Sequence, residues 1–505
     1  MIYNKLKKFV KDSIMKKNGF LIVLTVFLAI AVVSLILIQA LNVDVGIDVN
    51  ESAAESSASE IEISIPTEES KTVSDTSSEG SSAAETSSPE ESEDDPAPSA
   101  AEESTAEESS EPEVSEEPSA PPVPEDTVIS FLACPDNLIH PSIYYSAIVS
   151  AAEKAGKDPV YSPLATAKYD FSDTYRFVAK EIKNADISYI NCETLIGGNE
   201  NGISGYPQFN SPEAMGDYLV ELGFDVFNVA HNHMLDSGND KYLINCSKFY
   251  TERGGTVIGY YKDEASVDDV VIYEYNGVKI AWLSYTYDTN GITLKSSAST
   301  YIPYFNETLI RRQYKIAREK ADLVFVSAHW GDEDSYYTNS LQRKYAALFT
   351  ELGVDAVIGM HSHCVQPVEW QTNDSGHKTL VVYSLGNFVS GMLNGLNMLG
   401  GMLRMDIVKD GATGKITLEN IEYVPIVTQY DKSPSLNSSD SGYRHHTIYY
   451  LKDYTEELAS KHYIRTTYEK AHGTTLIGGE FTKENLIKTI QKFIPEEFLD
   501  EYFHK

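Results

Sequence analysis

Short apolar runs bounded by turn or helix signals recur at 128–134, 187–191, 226–230, 270–275, 278–284, 323–328, 356–360 and 380–384. Continuous apolar runs of this length predict buried strands. Between several of them lie stretches with recognisable helix ends. Ser211-Pro212-Glu213 supplies an N-cap, a proline for the first helical position and an acid for the helix dipole, and Gly223 follows the last turn. Two more helices are predicted, from just after Asn306 to Ala321 and from near Ser340 to Leu352, the second with Gly353 behind it. The order strand, helix, strand predicts an α/β fold. Asn276-Gly277 between two strand-like runs predicts a hairpin, so the sheet system is mixed. Beyond Val424 the pattern turns irregular, with a polar loop near 433–443 and helical stretches near 454–461 and 483–493. Residues 127–424 are therefore read as one domain, and 425–505 as an extension packed on it.

The N-terminal part follows other rules. Residues 20–41 hold no charge, and 22 residues at about 1.5 Å each match a hydrocarbon core of roughly 30 Å. They predict a membrane-spanning helix. The lysines at 5, 7, 8, 11, 16 and 17 keep the tail 1–19 in the cytoplasm, which sends everything after Asn42 outward. The expected location is thus the cell membrane, single-pass, with the domain extracellular. The alternative of a cleaved signal fits less well, because the run is longer than a signal core and no Ala-x-Ala site follows it. Residues 42–126 are dominated by Ser, Glu, Ala and Pro, which cannot bury enough apolar area to order, and predict a disordered stalk. Of the net charge of −35, residues 51–126 carry −23 and residues 127–505 carry −15. Nothing in that balance suggests nucleic acid as a partner.

Chemistry gathers at the ends of the predicted strands. Reading the exits in order gives Asp136 and His140, Asn191 and Glu193, Asn232, His233 and Asp236, then His329, then His361 and His363. Carboxylate, imidazole and amide groups suit Zn, Mn or Fe. Each histidine alone reads as a cap or a surface residue, but unrelated histidines have no reason to collect at strand ends beside acids. His361 and His363 would face one side of an extended segment, Glu193 could bridge two ions, and Asn191 would share its face by alternation. His233 stays free for proton transfer while Asp236 fixes its tautomer. A donor set of this size favours two metals over one. Cys192, flanked by Asn191 and Glu193, should point the other way into the core, as a small hydrophobe. Two units, ELGFDVFNVAHNH at 221–233 and ELGVDAVIGMHSH at 351–363, echo each other. Either they are a true repeat, or helix-Gly-strand grammar produces such strings independently.

The strings FLACPDNLIH, ISYINCET, GFDVFNVAHNHMLDSG, VFVSAHWGDE, GVDAVIGMHSHCVQPVEW and VVYSLGNFVSG, in order between about 128 and 390, resemble the CapA family linked to poly-γ-glutamate capsules. That family looks like the calcineurin-type metallophosphoesterases. The resemblance implies a four-layer αββα sandwich and two divalent metal ions. By the phosphoesterase pattern, Asp136, Glu193 and His363 would hold one metal, and Glu193, Asn232, His329 and His361 the other. His233 would be the general acid, with Asn191, His140 and Asn387 facing substrate. This chain departs from the pattern in carrying Pro135 before Asp136, where the family has glycine, and Glu193 where the phosphoesterases use Asp. Trp330-Gly331 and Gly386-Asn387-Phe388 either shape the pocket rim or form a turn and a cap.

The function expected from this resemblance is a metal-dependent hydrolase or transferase on a γ-glutamyl envelope polymer. The alternatives are a metallophosphoesterase, and a non-catalytic capsule-tethering or export component that works beside the capsule synthesis machinery. The acidic domain would repel an anionic polymer unless the metals and a local basic strip such as Arg311, Arg312, Arg318 and Lys320 offset the repulsion.

Overall fold

A computed structural model describes residues 124–434, 442–473 and 475–505. Its strands are β1 (Thr127–Asn137), β2 (Ile187–Asn191), β3 (Val226–Asn228), β4 (Thr256–Ile258), β5 (Val271–Tyr275), β6 (Val278–Thr286), β7 (Leu323–Trp330), β8 (Ala356–His361), β9 (Val368–Thr372), β10 (Lys378–Val382), β11 (Asn387–Val389), β12 (Leu399–Lys409), β13 (Ile416–Lys432) and β14 (Tyr443–Tyr450). They form two sheets. The first runs β14-β13-β12-β1-β2-β3-β4, with β11 also paired to β1, and the second runs β5-β6-β7-β8-β10-β9. Each sheet has a parallel run, β1 to β4 at one end of the first and β6, β7, β8 and β10 within the second.

Alternation along the strands sorts their side chains into layers. Phe131 and Tyr189 of the first sheet meet Trp282 and Phe325 of the second, with Tyr189 stacked on Trp282 at 5.3 Å and Phe131 edge-on to Phe325 at 5.5 Å. Leu132 and Cys134, on the other face of β1, pack under the helix Pro141–Ala155. Leu283, Val324 and Val326 pack against the helices Glu307–Lys320 and Ser340–Leu352. Helices outside, two sheets inside: the expected αββα order is what the core shows.

The sequence echo has a local cause. Asp186, Asp225, Asp322 and Asp355 stand immediately before β2, β3, β7 and β8. Each carboxylate accepts a backbone N–H from the neighbouring strand, that of Ser130 at 2.9 Å, Ser188 at 2.8 Å, Lys279 at 2.8 Å and Val324 at 2.7 Å. These bonds pin the parallel ladders at their starting edge, so the strands end in step. The two similar units lie in different sheets and share this grammar.

Helix ends follow the expected signals, with Asn306 capping through its side chain onto the Leu309 amide at 3.0 Å and Gly353 left-handed at φ 86°. Asn276 and Gly277 turn the β5–β6 hairpin at φ 47° and 74°. At the helix Glu213–Glu221 the cap position falls on Pro212, because the Ser211 hydroxyl turns instead to Thr194, 2.9 Å away. The largest difference lies late in the chain. β13 continues through the expected boundary at 424, and β12 to β14 extend the first sheet antiparallel. No helix among the described residues is long and apolar enough to cross a membrane. The expected tail, anchor at 20–41 and nearly all of the stalk lie outside the described residues.

Candidate metal centre

Strand ends of both sheets converge on one cluster. In β1 the ladder to β2 shifts register between Cys134 and Asp136, skipping Pro135, which has no N–H to donate. The shift brings Asp136 level with Asn191 and Asn387. Its Oδ1 accepts from Asn191 Nδ2 at 2.6 Å and its Oδ2 from the His361 backbone N–H at 3.0 Å. Pro135 therefore does not keep Asp136 out of the cluster. The Asn191 oxygen in turn accepts from Asn228 Nδ2 at 2.7 Å, and Asn228 also accepts the Ser284 hydroxyl at 2.5 Å.

Glu193 is the centre of the group. It is wholly buried, and neither carboxylate oxygen has a hydrogen-bond partner. Its Oε1 lies 3.7 Å from His329 Nε2 and 3.6 Å from His363 Nε2. Glu193, His361 and His363 each offer one donor atom within 4.8 Å of one another. His329 Nε2 is also 3.0 Å from the Asn232 side-chain oxygen, and the His329 and His361 rings lie 4.7 Å apart.

The His361–His363 segment is not extended, as its spacing suggested. His361 has φ 97° and His363 φ 55°. Left-handed conformations cost a non-glycine residue about 1–2 kcal/mol each, and such strain collects at functional sites. The rings nevertheless converge, 5.8 Å apart. The turn rather than strand alternation brings them together.

Electrostatics point the same way. Burial, then the charges of Asp136, Glu333 and Asp236, push the Glu193 carboxyl well above the usual range. Burial also raises Asp136, against the opposing pull of His363. Burial followed by neighbouring imidazoles holds His329 and His361 well below the ordinary histidine value. Paired acids and neutral imidazoles crowded without a cation are what a divalent metal resolves, since it favours ionised carboxylate and unprotonated imidazole. The unpartnered Glu193 oxygens and the unpartnered His361 Nδ1 fit this group. Glu193, His361 and His363 thus form a candidate divalent metal site.

Beside it, His233 Nδ1 lies 2.8 Å from Asp236 Oδ2, and the same oxygen accepts the Phe209 backbone N–H at 2.6 Å. Phe209 stands edge-on to both His233 and His140, at 4.9 and 5.2 Å. His140 caps its helix by position, accepts the Gly391 N–H at 3.1 Å, and is pulled by burial down to about 4. It belongs to the wall rather than to the donor cluster. Asn387 reaches the site because Gly386 turns at φ 74°, and its oxygen lies 3.0 Å from His363 Nδ1.

Several expectations are corrected. Trp330 is fully buried, its indole N–H on the Tyr383 carbonyl at 2.8 Å, so it belongs to the outer core and not to the rim. Arg311 pairs with Glu307 and Glu351 at 2.9 Å each, Arg312 with Asp268 at 2.8 Å and Arg318 with Asp355 at 2.6 Å. Their charge is balanced locally and forms no free basic strip. The cysteines, by contrast, agree with the expectation for Cys192: all four are buried and unbonded to one another, with thiol values raised by burial, as core residues. Asn228 and Asn290 were missed. Asn228 was legible as the register partner of Asn191, whereas Asn290, whose oxygen accepts from Asn232 Nδ2 at 3.2 Å, sits in a loop without a signal.

Residues 131–392 match the profile of a family described as bacterial capsule synthesis protein PGA_cap. The PGA biosynthesis protein CapA of Bacillus subtilis (strain 168) is 30% identical over 172 residues, 34% of this chain and 44% of that protein. The capsule biosynthesis protein CapA of Bacillus anthracis is 28% identical over 232 residues, 44% of this chain and 54% of that protein. The chain thus spans about half the length of these curated relatives. Among solved structures, the calcineurin-like phosphoesterase YfkN of Bacillus subtilis is similar at TM-score 0.33 and 14% identity, over 73% of this chain and 96% of that one. Haemophilus influenzae NAD nucleotidase (NadN) is similar at TM-score 0.37 and 12% identity, over 75% and 58%. With more than half its length matching the profile, the chain belongs to the PGA_cap family of bacterial capsule synthesis proteins.

Proposed function

We propose that this chain is a metal-dependent hydrolase or transferase of the cell envelope, acting on a γ-glutamyl capsule polymer and held at the membrane by residues 20–41. The observation that carries the reading is the buried, unpartnered Glu193 carboxylate among three imidazoles. Two divalent cations, Mn, Fe or Zn, would share it. Asp136, Glu193 and His363 would hold one, and Glu193, Asn232, His329 and His361 the other. Such cations polarise a carbonyl or phosphoryl oxygen and activate water.

The side chains supply the rest. Asp236 accepts from His233 Nδ1, so Nε2 is the nitrogen left to exchange a proton with the leaving group. A structural cluster alone would not require that imidazole. Because Arg311, Arg312 and Arg318 are paired with acids, recognition of an anionic chain falls to the metals. The Bacillus subtilis relative, a PGA biosynthesis protein, suggests the polymer class, and the Bacillus anthracis relative, a capsule biosynthesis protein, suggests capsule synthesis machinery as the partner.

Incubating the Mn2+-loaded chain with poly-γ-glutamate and, separately, with a simple phosphodiester tests the reading. The expected result is shortening or transfer of the polymer. Hydrolysis of the phosphodiester alone would favour the phosphoesterase alternative, and metal binding with neither reaction would favour a tethering role.

A further inference from the structure

We infer that a residue beyond the family-matched segment completes the metal site from outside: Asn397, together with Asp334 inside that segment, fixes the His361–His363 turn and the ring nitrogen that His363 presents. This rests on the metal-centre reading above.

The turn has few supports of its own. Asp334 N–H donates to the Ser362 carbonyl at 3.0 Å, and Asp334 Oδ1 accepts from Asn397 Nδ2 at 2.7 Å. The same Nδ2 lies 3.3 Å from the His363 carbonyl. One wholly buried amide therefore links the loop after β7 to the turn after β8.

Asn397 also acts through Asn387. Its backbone carbonyl accepts from Asn387 Nδ2 at 3.0 Å, which orients that amide so that its oxygen faces His363 Nδ1 at 3.0 Å. The His363 proton is thereby placed on Nδ1, leaving the Nε2 lone pair towards Glu193, 3.6 Å away. The loop carrying Asn397 is itself held by the C-terminal segment. Leu396 N–H donates to Thr475 Oγ1 at 3.1 Å, the Tyr468 hydroxyl donates to Asn394 at 3.3 Å, and Gly395 lies against Leu476 and Phe481. The matched residues end at 392, just before this loop. The region that looked like a mere appendage thus positions a ligand.

Mn2+ titration by calorimetry of the full chain, with Asn397→Ala and Asp334→Asn variants, tests this. Asparagine tolerates the φ of 58° at position 334, which makes the second variant conformationally mild. Each variant is expected to bind Mn2+ about 10–100-fold more weakly. The metal-free melting temperature should stay within about 2 °C of wild type, and the visible spectrum of the Co2+ form should change. Wild-type affinity and spectrum in both variants would overturn the inference, as would affinity lost only in step with melting temperature. If the wild type bound no Mn2+, the metal reading itself would fall, and this one with it.

Discussion

Adding Mn2+ to the wild-type chain will raise its melting temperature by several degrees, and the Glu193→Gln variant will show no such rise. A ligand at about 100 times its Kd stabilises the folded state by about 2.7 kcal/mol, provided the unfolded chain does not bind it. Among the described residues Glu193 is the carboxylate placed against both His329 and His363, so its loss removes the shared ligand of both proposed ions. The metal-free variant should be no less stable than metal-free wild type. In the metal-free wild type, burial and then the charges of Asp136, Glu333 and Asp236 favour the neutral acid at Glu193, which has no hydrogen-bond partner. A neutral amide of similar size therefore takes its place without removing a stabilising charge. Thermal denaturation with and without Mn2+ measures both effects, and a variant stabilised by Mn2+ as much as wild type would remove Glu193 from the centre.

His233→Ala is expected to lower turnover by about 10²–10⁴-fold, the usual worth of a positioned acid or base, while leaving metal content unchanged. His233 is held by Asp236 at 2.8 Å and by its own backbone N–H on His231 Nδ1 at 3.1 Å, beside the donor cluster. Asp236→Asn should have a related effect, since the acid both orients the imidazole and anchors the Phe209 backbone. Rates and bound metal measured on the same preparations separate the roles. Loss of metal in His233→Ala would make the histidine a ligand, and full turnover would end its assignment as the general acid.

The parallel part of both sheets was legible because its strands are continuous apolar runs between helices with clear ends, and so was the antiparallel β5–β6 hairpin. The antiparallel extension of the first sheet by β12 to β14 was not. β12 and β13 carry glycines, alternating polar residues and a proline at 425, they shift register between Arg404 and Asp406, and Asn420 sits at φ 50°. Bulged strands with one wet face lose the apolar run that marks a buried strand. The same limit applied to the site. Which residues gather was readable, because strand ends in step bring their exits together. How they gather was not, since the left-handed turn at His361 and His363 is bonded to Asp136, Asp334 and Asn397, which are far from it in sequence.

Metal analysis of the purified chain bears most directly on the central claim. Wild type loaded with Mn2+ and freed of excess should hold two ions per chain, and His361→Ala should hold fewer. Less than one ion per wild-type chain, unchanged by His361→Ala, would contradict a metal centre built on Glu193, His329, His361 and His363.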